Sequence, residues 1–562
     1  MKPRFLIFFL LIVSTVFADG HKRETRAVWV ATNFRLDWPP HTFDQTEQKN
    51  SLRQIFNNIN RKKLNAVYFQ VRSNGTVMFK SETEPFSPYF TGQVDRPPDY
   101  DPLALAIKEA HKRGLELHAW VNVFRCFTGT ETEALESPKH IFNKHPEWAI
   151  EARIEGKKTY WLDPGLPEAR NYLADLFAEI VANYDVDGIH LDFIRYPNTE
   201  IEDDFSYGLY GEGKPRNEWR RENITKFMKL LSSKIRAIKP FVKIGVTPIG
   251  IYKNIGGAYG TQGFSSVYQD AREWLRRGYA DYAVPQIYWD ISENPKFKNL
   301  ARDWISNSAG KNIILGIAAY KPEVKKEIEE QIAFARKINA AGVAFFRYGN
   351  IKDYNFKSFR TREFPADYVK KTEACPPPPK KLTVTVGKKI TLAWLPPDKR
   401  ESPVKYYALY LLSAPDENAG EKKLFQIVGA ERNSVSFSIV KPKRLKYYFA
   451  VKSVGQFWNE SRESSNVVEF EPPQIKDLID EIMPPAAPLL IKEKTGYKLF
   501  LLSGRKEEIK VTATADGKSS IILINILLPG ENIFTINDDL SEYDEIIISR
   551  ANSGGVYRMK IR

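Results

Sequence analysis

Asp187-Gly-Ile-His-Leu-Asp-Phe-Ile-Arg-Tyr-Pro197 is the stretch of this chain best equipped for chemistry. Its alternation reads as a buried β-strand with His190 and Asp192 on one face, and Gly188 leaves room for a neighbour to approach closely. A carboxylate at the C-terminal end of a parallel strand is costly in a core and expected in a barrel active site. Other strand-like segments also carry polar side chains toward their C-terminal ends: Tyr68, Gln70 and Arg72; His118, Trp120 and Asn122; Gln286, Tyr288 and Asp290. Amides, an arginine and acids beside flat rings, with Trp289 adjacent, suit a sugar site, where ring faces stack and hydroxyls take hydrogen bonds.

Eight segments are expected to position these groups: Arg26–Ala31, Asn65–Arg72, Leu115–Val123, Asp187–Asp192, Lys243–Gly250, Asp281–Trp289, Ile313–Tyr320 and Gly342–Gly349. Amphipathic runs such as Asp101–Gly114, Leu166–Tyr184 and Glu323–Asn339 lie between them. Eight β-then-α alternations predict an α/β fold, a (β/α)8 TIM barrel, with its extra length in the loops Ser73–Tyr100, Phe124–Gly165 and Asn198–Asn217.

A length of 562 residues exceeds what one hydrophobic core organises. Lys2 and Arg4 precede an apolar run from Phe5 to Val13, and Val16-Phe17-Ala18 offers a small-residue cleavage site, so residues 1–18 read as a signal peptide. No later stretch approaches the ~20 apolar residues a membrane span needs, and the mature protein is expected to be periplasmic or secreted. Cys126 and Cys375 are the two cysteines; a bridge between them would tie the barrel to the C-terminal part of the chain, and the fold does not depend on one. The formal net charge of +14 suits anionic envelope polymers or headgroups, or merely a solvated surface. No basic stretch is interleaved with aromatics, so nucleic acid is not an expected partner.

Residues 19–373 form the predicted barrel. Ala374-Cys-Pro-Pro-Pro-Pro-Lys-Lys381 reads as an extended spacer. Residues 382–472 are all-β, with short strands at Leu382–Val386, Ile390–Trp394, Tyr406–Leu412, Phe425–Val428, Val435–Ile439, Tyr447–Val454 and Val467–Phe470. Seven such strands, with Trp394 in the second and Tyr447-Tyr448 in the sixth, resemble a fibronectin type III sandwich. A second linker at 473–488 leads to a β-rich domain at 489–562, and these all-β parts are candidates for envelope association.

Several ordered motifs resemble the glycosyl-hydrolase-like family 10: Arg26-Ala-Val-Trp-Val-Ala31 with Asp37-Trp-Pro39, Ser81 through Pro85, Asp101-Pro-Leu103, Ala110-His-Lys-Arg-Gly114, His118-Ala-Trp-Val-Asn122 with Arg125, Trp161-Leu-Asp-Pro-Gly165, Asp187–Pro197 and Pro285-Gln-Ile-Tyr-Trp289. The resemblance covers residues 26 to about 350. It implies a TIM-barrel glycoside hydrolase acting on a polysaccharide, and the family includes a division-site enzyme that cleaves peptidoglycan glycan strands stripped of stem peptides. Its best-known members are often lipoproteins; this chain lacks the lipid-carrying cysteine.

Glycoside hydrolysis normally uses two carboxyl groups, roughly 5–5.5 Å apart for retention or 6.5–9.5 Å for inversion. Asp192 is the expected first. A chitinase-like strand would place Glu two residues later, where this chain has Ile194, so the second is sought among Asp163, Glu84 and Asp290. Each has another reading: Asp163 as a turn or cap residue, Glu84 as a loop-ordering charge, Asp290 as a substrate hydrogen-bonding group. If the substrate carries an N-acetyl group, its carbonyl is a further candidate nucleophile, with Asp192 orienting it and another acid serving as proton donor. The expected binding residues are Gln70, Arg72, His118, Trp120, Asn122, Arg125, His190, Tyr196, Gln286, Tyr288 and Trp289, any of which can instead be structural. Arg195 and Tyr196 can orient Asp192. His118 and His190 could hold zinc, but no His-x-His or His-Glu-x-x-His accompanies them among seven histidines, so neither metal nor cofactor is expected. A metal-dependent hydrolase or deacetylase, and a barrel that only binds glycan, are the two alternatives.

Overall fold

The computed structural model describes residues 23–561, except 131, 155, 293–294, 369–373, 388, 399–402, 421–422, 439–445, 472–487, 494–495, 504–505, 516–517, 529 and 552–555. The expected signal peptide and nearly all of the second linker lie outside the described residues.

Eight parallel strands form a closed barrel: β1 Thr25–Val30, β2 Ala66–Ser73, β3 Glu116–Asn122, β4 Gly188–Asp192, β5 Lys243–Val246, β6 Tyr282–Ala283, β7 Asn312–Ile317 and β8 Gly342–Phe345. Each pairs with its sequence neighbours, and β1 closes the ring by pairing with both β2 and β8. The helices between them are α1 Gln45–Arg61, α2 Pro102–His111, α3 Pro167–Asn183, α4 Arg216–Ile238, α5 Ala271–Arg276, α6 Phe297–Ser306 and α7 Pro322–Lys337. Helices α2, α3 and α7 open on proline, whose fixed φ and missing N–H suit the first helical turn. Asp44 and Asp101 cap α1 and α2 by accepting the amides of Glu47 and Ala104.

The strands expected at Lys243–Gly250 and Asp281–Trp289 end early, at Val246 and Ala283. Pro248 and Pro285 cannot donate to the ladder, so pairing beyond them survives only as single bridges from Gln286 to Ile249 and Gly316. The loop expected at Phe124–Gly165 contains a three-stranded antiparallel sheet of Arg125–Phe127, Lys157–Leu162 and Ala149–Ile154.

After the barrel, the predicted strands recur with shifts of one or two residues in two sheets. One joins Lys380–Val386, Ile390–Leu395 and Ser434–Phe437; in the other Tyr406–Leu412 lies between Leu424–Gly429 and Tyr447–Val454. This part does not stand off on a spacer. Tyr406 and Trp458 stack at 4.6 Å, the Tyr406 hydroxyl reaches the Leu115 carbonyl, and Lys405 Nζ pairs with Asp187 at 2.7 Å. These contacts fall where β3 and β4 begin, so this β-rich part covers the N-terminal mouth of the barrel. Cys126 and Cys375 are both free thiols, Cys126 buried beside Arg72 and Cys375 exposed.

The C-terminal unit has its own core of Leu499, Leu501, Val511, Ala513, Ile546 and Ile548. Two antiparallel sheets supply it, one of Leu489–Glu493, Gly496–Ser503 and Gly530–Ile536, the other of Lys518–Leu527, Glu507–Ala515, Glu545–Arg550 and Val556–Lys560. No helix among the described residues is long and apolar enough to cross a membrane.

Candidate active site

Asp192 ends β4, with Asn122 beside it in register on β3. Its Oδ1 accepts the Phe193 amide at 2.7 Å and lies 3.4 Å from the Gln286 amide nitrogen. Burial pushes its carboxyl up to about 6, against the opposing influence of the Phe193 amide, Arg195, the Trp120 indole and Arg125. A carboxylic acid that keeps its proton into the mildly acidic range, at the catalytic end of a barrel, is suited to proton transfer. Phe193 has φ of +51°, a left-handed conformation that is strained for an aromatic residue. That turn sends the chain sharply away from β4 directly after the acid.

An aromatic wall flanks this strand end. The Phe346 ring, just past β8, packs against Trp29 at 5.8 Å, Trp120 at 6.3 Å, Tyr288 at 5.8 Å and the half-exposed Tyr320 at 6.2 Å. Tyr288 feels the Asp192 charge: its hydroxyl is held well above its ordinary value by burial first and by Asp192 second. Asn122 Oδ1 accepts from the Gln70 side-chain amide at 3.4 Å, and the Asn122 amide nitrogen has no hydrogen bond among the described residues. Rings for sugar faces and an amide donor therefore surround one acid.

Beneath this layer the barrel interior holds a continuous polar chain. Trp29 donates to His190 Nε2 at 3.0 Å, and His190 Nδ1 meets the Tyr282 hydroxyl at 3.1 Å. The same hydroxyl meets His118 Nδ1 at 2.6 Å, and His118 Nε2 meets Glu116 at 3.1 Å. Lys243 and the Trp458 indole complete the set on Glu116. Tyr68 stacks flat on His190 at 4.0 Å. A Cβ on Gly188 would come within 2.5 Å of the His118 ring, which explains the glycine in Asp-Gly-Ile-His-Leu-Asp. His118 and His190, expected to bind substrate, thus spend both ring nitrogens inside the barrel, and burial holds His190 well below its ordinary value. Among the described residues no three His, Cys, Asp or Glu side chains gather as a metal site would require.

Three of the expected carboxylates are engaged elsewhere. Glu84 forms a two-pronged, fully buried ion pair with Arg72 at 2.6 and 2.8 Å, and Arg72 also bonds the carbonyls of Asn122 and Val123; both expected site residues brace the β2 and β3 loops. Asp163 accepts the Gly165 amide at 2.7 Å in the turn before α3; burial pushes it up to about 6, and its neighbours are Ser206, Asp203 and Arg170. Asp290 accepts the Ser292 amide and hydroxyl, ordering its own loop. Tyr196 is fully buried against Tyr268 and Asn223 rather than facing substrate. Gln70 spends its carbonyl on the Thr32 and Asn33 amides, tying the first loop to β2. Trp289 packs behind Gly250. Trp120, Asn122, Gln286, Tyr288 and Arg125 do gather around Asp192.

The structure adds residues that strand alternation does not single out. Phe346 centres the aromatic wall, and Tyr320 sits at the end of β7. Asp37, in the Asp-Trp-Pro motif, accepts the amides of Ala31 and Gly349 and pairs with Arg347, holding the chain that carries Phe346. The motif was a signal for Asp37; for Phe346 the only signal was its position at a strand end. A separate cavity of about 230 Å³, lined by Arg35, Phe43, Asn74, Tyr89 and Glu133 among others, opens between the loops following β1, β2 and β3.

The family model described as Glycosyl hydrolase-like 10 matches residues 24–334. Glycosyl hydrolase YngK of Bacillus subtilis is 30% identical over 522 residues, 83% of this chain and 98% of that protein. Glycosyl hydrolase DigH of Escherichia coli K12 is 32% identical over 333 residues, 54% of this chain and 75% of that protein. Among solved structures, the α-L-fucosidase isoenzyme 2 of Paenibacillus thiaminolyticus has TM-score 0.39 at 11% identity, covering 92% of this chain and 100% of that one. The α-galactosidase TtGalA of Thermus thermophilus has TM-score 0.36 at 16% identity over 61% and 66% of the two chains. The barrel itself is established by its strand pairing. The chain belongs to the glycosyl hydrolase-like 10 family, and its barrel is that of a glycosidase.

Proposed function

We propose that this protein is an exported glycoside hydrolase that cleaves glycosidic bonds in a bacterial envelope polysaccharide, peptide-free peptidoglycan glycan, with Asp192 as the proton donor. The observation that carries the reading is Asp192 itself: buried at the end of β4, raised to about 6, bordered by an aromatic wall and by hydrogen-bond donors. Protonated Asp192 gives its proton to the leaving glycosidic oxygen; in the acetamido route the ionised form then takes a proton from the water that opens the cyclised sugar on the same face, whereas in direct attack the water's proton passes to solvent and Asp192 is reprotonated from solvent. Glu84, Asp163 and Asp290 are committed to other contacts, so the attacking oxygen comes from water or from the substrate's own acetamido carbonyl. Product stereochemistry separates these routes: inversion marks direct attack by water, retention marks the acetamido group.

Export to the periplasm or beyond is part of the same proposal, supported by the sequence of residues 1–18. So is a fibronectin type III-like character for residues 382–472, with attachment to the envelope through the β-rich parts.

The test is mass spectrometry of products after incubating wild type and Asp192→Asn with peptide-free peptidoglycan glycan, chitin oligomers and a plant glucan. Shorter saccharides released from the bacterial glycan by wild type alone are expected. Release of none by either protein would remove the hydrolase reading and leave a glycan-binding barrel.

A further inference from the structure

We propose that Arg125 and Arg195 form a carboxylate-binding subsite beside Asp192, so that the sugar at the cleavage point carries a free carboxylate. The inference rests on the glycosidase reading above and narrows its substrate class.

Both guanidinium groups flank the ring of Phe193, Arg125 at 4.9 Å and Arg195 at 5.3 Å, and Arg195 also lies 5.1 Å from the Trp161 ring. The strained turn at Phe193 places that ring directly after Asp192, which brings two cations to the side of one acid. Among the described residues neither arginine makes an ion pair. Among those residues Arg195 hydrogen-bonds the Tyr196 and Pro197 carbonyls, each at 3.2 Å, the buried Arg125 Nε has no hydrogen-bond partner, and Asp192 is the acid whose charge acts on both. Arg72 shows the contrast: its charge is fully matched by Glu84. With Asp192 protonated, two largely buried guanidinium groups are left without an anion, a costly state that a substrate carboxylate would relieve, its plane matching the guanidinium fork.

Sugars that supply such a group include an amino sugar bearing a lactyl ether and a uronic acid. In peptidoglycan the lactyl carboxylate is free only when the stem peptide has been removed, because the peptide consumes it as an amide. A subsite of this kind would therefore itself select stripped strands.

The test measures kcat/KM on peptide-free peptidoglycan glycan, on the same glycan with its carboxyl groups converted to methylamides, on chitin oligomers and on polygalacturonate. For wild type, activity on the methylamide is expected to fall about tenfold or more, as loss of a charge-assisted hydrogen bond predicts. Arg125→Gln is expected to lose a similar factor on the acidic glycan and little more on the methylamide, while Arg125→Lys restores part of it. Equal wild-type rates on the acid and methylamide would overturn the subsite while leaving the hydrolase reading intact. An Arg125→Gln loss of equal size on both substrates would also overturn it. Cleavage of polygalacturonate alone would keep the subsite and replace the peptidoglycan assignment. Cleavage of none of the four would overturn both.

Discussion

Two aspartates bracket one strand and live in opposite electrostatic worlds. Asp187, just before β4, is buried and fully paired: it accepts Lys405 at 2.7 Å, His111 at 2.8 Å and the Leu117 amide at 2.8 Å. Burial pushes its pKa up, but Lys405 and His111 win and hold it well below the usual carboxylate range. Asp192, five positions on, has cations nearby but no ion pair among the described residues, and burial wins. The paired acid belongs to the closed mouth of the barrel, sealed by the β-rich part that carries Lys405. The underpaired acid belongs to the open mouth. The contrast separates an acid that holds the fold from an acid that the fold holds at a cost, as functional groups commonly are.

The largest expected difference between the two ends is in turnover. Asp192→Asn should lower kcat on the cleavable glycan by about 10²–10⁴, the range for loss of a positioned proton donor, with the circular dichroism spectrum unchanged. Asp187→Asn should leave turnover per folded molecule within a few-fold of wild type.

Stability should respond in the reverse sense. Breaking the buried Asp187 pair, by Asp187→Asn or Lys405→Met, should cost about 3–5 kcal/mol in denaturant unfolding at pH 7. Because the folded Asp187 binds its proton more weakly than the unfolded chain does, its contribution is present above the ordinary carboxylate range and lost as pH falls. The Asp187→Asn deficit should therefore shrink on acidification.

Asp192→Asn should instead stabilise. The folded carboxyl binds its proton more tightly than the unfolded one, so ionising it in place costs stability from about pH 4 upward, and the cost is complete above about pH 6. At pH 8 the variant should gain up to about 3 kcal/mol, the equivalent of a shift of about two pKa units, and at pH 4 nothing. A pH-independent effect would break the comparison.

The smallest expected effect comes from the polar chain between the two ends. Trp29→Phe removes the donor to His190 and should cost about 1–2 kcal/mol in unfolding free energy measured with urea. A larger loss in kcat than in stability would show that the chain reports to Asp192 rather than only filling the barrel.

Much of this arrangement was legible in the sequence, and the exceptions have physical causes. All eight barrel strands were readable because buried parallel strands are apolar and framed by amphipathic helices. The three-stranded sheet inside Phe124–Gly165 was not, since Arg125–Phe127 is three residues long and no Asn-Gly signature of a tight turn stands between Ala149–Ile154 and Lys157–Leu162. Alternation gave the face of His118, His190, Gln70 and Asn122 correctly but not their depth along the barrel axis. His190 pairs in register with Trp120, one layer below the Asn122 and Asp192 level, and that step of two residues places it among core partners instead of at the cleft. Arg72 and Glu84 looked like site residues because a buried charge looks the same in sequence whether its partner is substrate or protein. Nor could a proline run reveal that Lys405 and Trp458 reach back into the barrel, since such contacts depend on tertiary packing.

The most direct test is the pH dependence of kcat/KM for wild type and Asp192→Asn on a soluble glycan fragment that wild type cleaves. A descending limb with an apparent pKa near 6 is expected in wild type, where Asp192 loses its proton, and it should disappear from the residual activity of the variant. The same limb in both proteins, or wild-type rates in Asp192→Asn, would contradict that role for Asp192.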